Sequence, residues 1–437
     1  MKYYSTNKKS PEVSFREATI KGQAPDKGLY FPERIPTVEK DLLKDIENIS
    51  NEEIAFKVIK PYIGNEIPDE KLFQIVSETV NFPIPLVKVN DTIFSLELFH
   101  GPTLAFKDVG ARFMSRCLGY FLSSESDSTK KSGKVTVLVA TSGDTGGAVA
   151  NGFYDVDGVE VVILYPSGKV SPVQEKQLTT LGKNIHALEV EVTFDDCQQM
   201  VKNAFVDKEI NEKLFLTSAN SINVARWLPQ QFYYFFAYKQ WKDKNNPPVI
   251  SVPSGNFGNI CAGILAKKSG LPVKHFIAAC NANDIVSGYL QTAELKPKTA
   301  VATLSNAMDV GDPSNFVRIL EIFNHQFPDL KNALSSFCIS DDQTKATIKE
   351  VFEESGYLLD PHGAVGYLSL KKYLEGHTND KGIFLETAHP VKFPEAVESV
   401  TGKKIEVPAS ISSIMTLEKK SIRIKADYNQ FKEYLLG

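Results

Sequence analysis

The sequence predicts an α/β protein: two doubly wound parallel-sheet domains preceded by an N-terminal, mainly helical lobe. Three observations predict it. From residue 135 onward, short apolar runs rich in β-branched residues alternate with longer segments of helical periodicity, as strands buried on both faces require. Two of those runs lead straight into Gly-rich turns that open helices, Ser142-Gly143-Asp144-Thr145-Gly146 and Gly255-Asn256-Phe257-Gly258-Asn259. Before residue 90, helix-start signals dominate instead.

In the lobe, Ser50-Asn51-Glu52-Glu53 reads as a capping box opening a helix through Val58, and Pro68-Asp69-Glu70 opens another through Val80. Pro83 and Pro85 end that pattern and lead to a strand pair at 86–89 and 93–98. Val109, Phe113, Cys117 and Phe121 then recur every fourth residue, with Met114 and Leu118 beside them, the buried stripe of an amphipathic helix. The polar stretch 123–134 marks a crossing into an inserted domain. Strands at 135–140, 159–164, 185–190 and 214–217 follow, alternating with helices at 193–206 and 229–241 and one opened by Ser171-Pro172-Val173-Gln174. Asn245-Asn246-Pro247-Pro248 punctuates the crossing back, and further strands lie at 249–252, 275–279 and 383–385. The expected division is a lobe over 1–95, a large domain over 96–130 plus 245–437, and an inserted domain over 131–244.

Composition narrows the function classes. At 437 residues, with 42% hydrophobic and 23% charged, the chain can bury the cores of two or three domains. A net charge of −4 points to neither nucleic acid nor an anionic membrane as partner, so small anions must be caught locally. No apolar run approaches the ~18 residues of a membrane span. The opening residues lack the apolar core of a secretory signal. Five scattered cysteines without a Cys-x-x-Cys pattern suggest reduced thiols and the cytoplasm, and the seven histidines never fall at metal-ligand spacing, so no metal is expected.

Lys107 is where chemistry concentrates. It ends the apolar turn His100-Gly101-Pro102-Thr103-Leu104-Ala105-Phe106 and opens the striped helix. Desolvation there disfavours the ammonium, and a partly neutral amine can attack a carbonyl. Taken alone, the same lysine could simply snorkel to solvent. In the 255–259 turn, glycines let the backbone aim several N–H groups at one anion, and each charge-assisted bond contributes ~1.5–3 kcal/mol. The turn at 142–146 has the same logic without being a Walker loop. Thr387 falls at a strand end, where ligands of open α/β sheets sit. His100, His362 and His389 lie in loops without identifiable partners, and Asp360-Pro361-His362 reads as a turn and helix start.

The stretch ending in Thr103-Leu104-Ala105-Phe106-Lys107-Asp108 resembles the cofactor-lysine motif of threonine synthases, pyridoxal-phosphate enzymes of the tryptophan-synthase-β type (PLP fold type II). The resemblance continues through Ala140-Thr141-Ser142-Gly143-Asp144-Thr145-Gly146, Pro253-Ser254-Gly255-Asn256-Phe257-Gly258-Asn259 and Glu386-Thr387-Ala388-His389-Pro390, in the family's order. It implies that Lys107 holds pyridoxal 5'-phosphate as a Schiff base and that Gly255, Asn256, Phe257, Gly258 and Asn259 cradle the cofactor phosphate. It further implies that Thr387 meets the pyridine nitrogen and that Asp144 stands near the phenolic oxygen, where related enzymes carry Asn. Thr141, Ser142 and Thr145 would take the substrate carboxylate. Lys169, Asn223 and Arg226 could take a substrate phosphate, and a solvated surface role suits each as well.

The implied reaction converts O-phospho-L-homoserine and water to L-threonine and phosphate, in a monomer or homodimer. One alternative is a related phospholyase or dehydratase releasing a keto acid and ammonia. Another is a non-catalytic amino-acid- or nucleotide-binding protein, against which the apolar setting of Lys107 argues.

Overall fold

The structure, a computed structural model, describes residues 1–123 and 134–437, so the expected crossing at 123–134 lies almost wholly outside the described residues. In the lobe, an antiparallel pair of β1 (Tyr3–Ser5) and β2 (Tyr30–Pro32) accompanies the helices Phe15–Lys21, Asn51–Ile63 and Asp69–Thr79. Ser50 caps the second of these by accepting from Glu53 N (3.1 Å), while the Glu53 carboxylate turns outward to Lys57. That helix runs past Pro61, five residues beyond its expected end. Its apolar face, Ile54, Ala55, Val58, Ile59, Tyr62 and Ile63, is buried, and packing outweighs the hydrogen bond that proline removes.

Next come β3 (Leu86–Lys88) and β4 (Ile93–Glu97), the helix Lys107–Ser123, and then β5 (Val135–Ala140), β6 (Val159–Pro166), β7 (Ile185–Val190) and β8 (Phe215–Ser218). They are followed by β9 (Val249–Pro253), β10 (His275–Cys280), β11 (Leu334–Cys338), β12 (Gly382–Glu386) and β13 (Ser421–Ile424). One six-stranded sheet has the order β11-β10-β9-β12-β4-β3, parallel except for the antiparallel edge strand β3. A five-stranded parallel sheet has the order β13-β7-β6-β5-β8. The fold is thus the doubly wound α/β type expected.

Three segments lie elsewhere than their expected domains. Both β3 and β4 precede residue 98 yet belong to the large sheet, because β4 pairs with β12 from Ile93↔Gly382 to Glu97↔Glu386. The helix Gln231–Gln240 packs against Gly258–Lys268 and Asn51–Ile63 rather than on the inserted sheet. Gln231 through Tyr238 are all buried, so this helix needs apolar neighbours on every side. Last, β13 joins the inserted sheet beside β7, and Phe431 and Leu435 fill that domain's core. The tail thereby covers a sheet edge that would otherwise stand open.

The strand orders also locate the ligand side. In the large sheet, β9 leads one way to β10 and β11, while its other neighbour is β12; in the small sheet, β5 lies between β6 and β8. Such reversals open a crevice at the carboxyl ends of the strands. The 255–259 turn follows β9, Thr387 follows β12, the Lys107 turn follows β4, and the 141–147 turn follows β5. Among the described residues, no helix is long and apolar enough to cross a membrane.

Candidate active site

Backbone hydrogen bonds stitch the Lys107 turn to the end of β12. Leu98 N donates to Glu386 O (2.9 Å), Phe106 N to Thr387 O (2.9 Å), and His389 N to Leu104 O (3.0 Å). Leu104 adopts the left-handed region (φ 57°), a strain that this stitching holds in place. Asp108 anchors the turn from the helix side, accepting from Thr103 N (2.9 Å) and Thr103 Oγ1 (2.6 Å). The Tyr233 hydroxyl donates to Phe106 O. Lys107 emerges half-buried from this frame. Desolvation lowers its amine to about 8; Asp144 opposes that shift, and Lys392 and Arg226 reinforce it.

After β9, Phe257 takes a left-handed conformation (φ 60°) and serves as N-cap of the helix Gly258–Lys268. Among the described residues, none of the N–H groups of Gly255, Asn256, Phe257, Gly258 and Asn259 donates to a protein acceptor. Five unspent donors at one helix start form an anion nest. The Asn256 side chain builds the frame: Nδ2 donates to Ser221 Oγ (2.8 Å), and Oδ1 accepts from Ser314 N (2.7 Å). The Tyr234 hydroxyl donates to Asn259, lying 2.9 Å from its carbonyl and 2.8 Å from Oδ1. Asn259 Nδ2 is then left buried without a partner. Consecutive tyrosines of one helix therefore clamp the lysine turn and the nest, a link that the sequence reading did not anticipate.

The turn after β5 has a different economy. Thr141 Oγ1 accepts from Gly143 N (3.0 Å) and Gly146 N (2.8 Å), so this threonine shapes its own loop. Ser142 and Thr145 are half-buried, and neither hydroxyl meets a protein partner among the described residues. Gly143 (φ 133°) lies where a Cβ would stand 2.6 Å from Gln174 Nε2. That amide donates to Asp144 Oδ1 (2.9 Å). Asp144 also pairs with Lys392 (2.7 Å), whose side chain is 0% exposed and also donates to Thr103 O (2.8 Å). Burial pushes the Asp144 carboxyl up, but Lys392, Lys107 and Gln174 together hold it well below the usual range. Lys392 was missed in the sequence; it stands two residues past the motif ending at Pro390.

The remaining candidates divide. Arg226 is 4% exposed, donates to Ala219 O and keeps its Nε buried without a partner. Burial lowers its guanidinium to about 10, and it acts electrostatically on Lys107. Lys169 is exposed beyond the carboxyl end of β6. Asn223 does not fit the phosphate-binding expectation. It is fully buried, its Oδ1 accepts from Ala225 N (2.9 Å) as a helix cap, and its Nδ2 donates to Thr19 O (2.8 Å). Its polar groups are committed to the framework; a cap-type Asn before Val-Ala-Arg-Trp was the available signal. Thr387 is largely buried, and its hydroxyl has no protein partner among the described residues.

These features fit pyridoxal phosphate: a depressed lysine amine, a nest with unspent donors and the orphan Asn259 Nδ2 at its side. Gly255 makes the nest testable. A Cβ there would meet Met308 Cα at 2.6 Å and Ala307 O at 3.1 Å, both backbone atoms. Gly255→Ala is expected to weaken pyridoxal-phosphate binding ~10–100-fold, the loss of one charge-assisted bond. Absorbance titration measures it, and an unchanged Kd would remove the turn from the cofactor site.

Comparison with known proteins agrees with this geometry. The family described as "Pyridoxal-phosphate dependent enzyme" matches residues 79–385, flanked by "Threonine synthase N terminus" over 2–80 and "Threonine synthase, C-terminal" over 363–435. The chain is 44% identical over 437 residues to a threonine synthase of Haemophilus influenzae, covering 100% of both. It is similar to the crystal structure of threonine synthase from Escherichia coli, with a TM-score of 0.91 and 42% identity over 100% of this chain and 99% of that one. A second solved relative, PLP-bound threonine synthase from Brucella melitensis, gives a TM-score of 0.92 at 36% identity over 100% and 99% of the two chains. With motifs, fold and full-length similarity in agreement, the chain belongs to the threonine synthase family of pyridoxal-phosphate-dependent enzymes.

Proposed function

We propose that the substrate is O-phospho-L-homoserine, converted with water to L-threonine and phosphate in the closing step of threonine biosynthesis, and that Lys107 is the residue on which the reaction turns. What supports this is the full-length similarity to threonine synthases, with the Lys107 amine, lowered to about 8 by desolvation, beside a fixed Asp144–Lys392 pair. Such an amine is neutral often enough near pH 7 to accept a proton and acidic enough to return it. When bound, pyridoxal phosphate supplies the electron sink that stabilises a carbanion at the substrate α-carbon.

The protein groups then have distinct work. The unspent N–H groups of 255–259 would hold the cofactor phosphate, and the Thr387 hydroxyl would offer the ring nitrogen a neutral partner, which would favour elimination and replacement over transamination. Ser142 and Thr145 hold the substrate carboxylate. Thr141 supports them indirectly by fixing the turn. Lys107 would take the α-proton; a second proton must leave the β-carbon as phosphate departs from the γ-carbon, and Lys107 could accept it only after releasing the first. Arg226, with an unpartnered Nε, and the exposed Lys169 are the cations proposed for that phosphate. With the cofactor bound, a phenolic oxygen near Asp144 would be tolerated because Lys392 neutralises the carboxylate. The five free thiols, four of them buried, suit a cytoplasmic enzyme.

The test is product analysis with purified protein and O-phospho-L-homoserine. Threonine and phosphate are expected in equal amounts; 2-oxobutyrate and ammonia in place of threonine would make the protein a phospholyase.

A further inference from the structure

Beneath the end of β12 lie two carboxyl groups that the chemistry above leaves unused. Glu386 is 0% exposed and accepts from Asp360 N at Oε1 (2.6 Å). Asp360 is equally buried and caps the helix Pro361–Glu375, its Oδ1 accepting from His362 N (2.7 Å) and meeting His362 Nδ1 at 2.6 Å. The Ala307 N–H donates to His362 Nε2 (3.2 Å). An Nε2 that accepts leaves the ring proton on Nδ1, so the imidazole is neutral and donates to Asp360.

Each carboxyl keeps one buried oxygen without a partner, Glu386 Oε2 and Asp360 Oδ2. Asp360 has the two donors and is therefore the ionised member. Two adjacent buried carboxylates cannot both be charged; the two side chains lie within hydrogen-bond reach of each other, so one proton between them would serve both. Among the described residues neither carboxyl pairs with a lysine or arginine: Lys392 is spent on Asp144, and His100 sits on Glu97 at 2.7 Å. Glu97 and the Tyr357 hydroxyl bonded to it (2.9 Å) face the same space, and His389 is kept neutral, lowered to about 4 mainly by burial. Burial first, then the charge of Asp360, pushes Glu386 well above the carboxylate range. Gly363 completes the fit, since a Cβ there would collide with Glu386 Oε2.

We propose that Glu386 is a neutral acid donating its proton to Asp360, and that this chain, continued through His362 to Ala307, is a positioning device setting the 255–259 turn against the end of β12. The last link is steric: Ala307 O and Met308 Cα are the atoms that back Gly255. The positioning half rests on the reading of 255–259 as the phosphate cradle; the neutral acid does not.

Infrared difference spectra of the cofactor-free protein, wild type against Glu386→Gln, are expected to contain a protonated-carboxyl stretch at neutral pH. Carboxylate bands alone would overturn the neutral acid, whatever the turn binds. Linkage gives a second readout. The folded state holds a proton that the unfolded chain releases above about 4.5, so stability declines with pH from there up to the folded pKa, and Glu386→Gln should flatten that slope. An unchanged slope counts against the proposal. For positioning, glutamine keeps a donor toward Asp360 and alanine does not, so Glu386→Ala should bind pyridoxal phosphate ~10–100-fold more weakly than Glu386→Gln. Equal affinities would overturn the positioning role. A Gly255→Ala variant of unchanged affinity would overturn it by way of the cradle, leaving the neutral acid standing.

Discussion

Lys107→Ala ends threonine formation, with kcat lower by at least about 10⁴-fold, because acid–base and covalent roles leave together. No neighbour can stand in. Asp144 is ionised and bound to Lys392, and Arg226, at about 10, keeps its proton. Near pH 7 roughly a tenth of Lys107 is neutral when its pKa is about 8, against a few in ten thousand at the ordinary 10.5. The same shift fixes the sign of its effect on stability. The folded state binds fewer protons at Lys107 than the unfolded chain, so burying it costs stability below about 8, and that cost is relieved as pH rises toward 10.5. Alanine removes a half-buried cation, and the loss of activity is therefore not expected to be a loss of fold. Peptide mapping after borohydride reduction should find the cofactor on Lys107 in the wild type and nowhere in the variant. Competitive acylation of the cofactor-free protein should give Lys107 a midpoint near 8. Threonine formation by Lys107→Ala within tenfold of wild type would refute the assignment.

What could be read in advance follows from the range of each interaction. The capping box at Ser171 and Gln174, the stripe from Val109 to Phe121 and the buried run of β5 are local patterns, and each formed as its spacing implied. The two Gly-rich turns were legible for the same reason, since a strand followed by glycines and a helix start needs no distant partner. Asn223 misled because a cap and a ligand use the same amide. Lys392 and Asp144 meet across 248 positions, and nothing in the Val391-Lys392-Phe393 sequence announces a buried cation. Likewise β13 finds β7 across more than 230 residues. Glu386 and Asp360 lie in legible motifs but give no sign of their role there, because two buried carboxyls come together only in the folded chain. The gaps therefore lie in tertiary pairings of charge and sheet edge, which no periodicity encodes.

Lys392→Met is expected to cost about 3–5 kcal/mol of stability, the penalty for leaving one member of a buried ion pair uncompensated. Methionine preserves most of the volume, so packing contributes little. What remains is a carboxylate only 6% exposed, with Gln174 as its hydrogen-bond donor and Lys107 as its nearest cation. That partnership harms the chemistry as well. Lys392 helps hold the Lys107 amine down and Asp144 pulls it up, so removing the first and freeing the second restores protons to the base. Turnover at neutral pH should fall, and the activity that survives should move to more alkaline pH. The stability gap has a defined pH dependence. Asp144 is held below its usual 3.8 in the wild type, so its contribution is fully present above that value and is shed as pH falls further. The two proteins should therefore converge in acid. Asp144→Asn in the Lys392→Met background removes both charges and keeps an acceptor for Gln174, so most of the lost stability should return. Urea unfolding of all four proteins closes the double-mutant cycle. Additive losses would mean that the pair carries no coupling and that Lys392 is only a filler beneath Thr103, whereas recovery in the double variant without recovery of turnover would separate the pair's structural work from its control of Lys107.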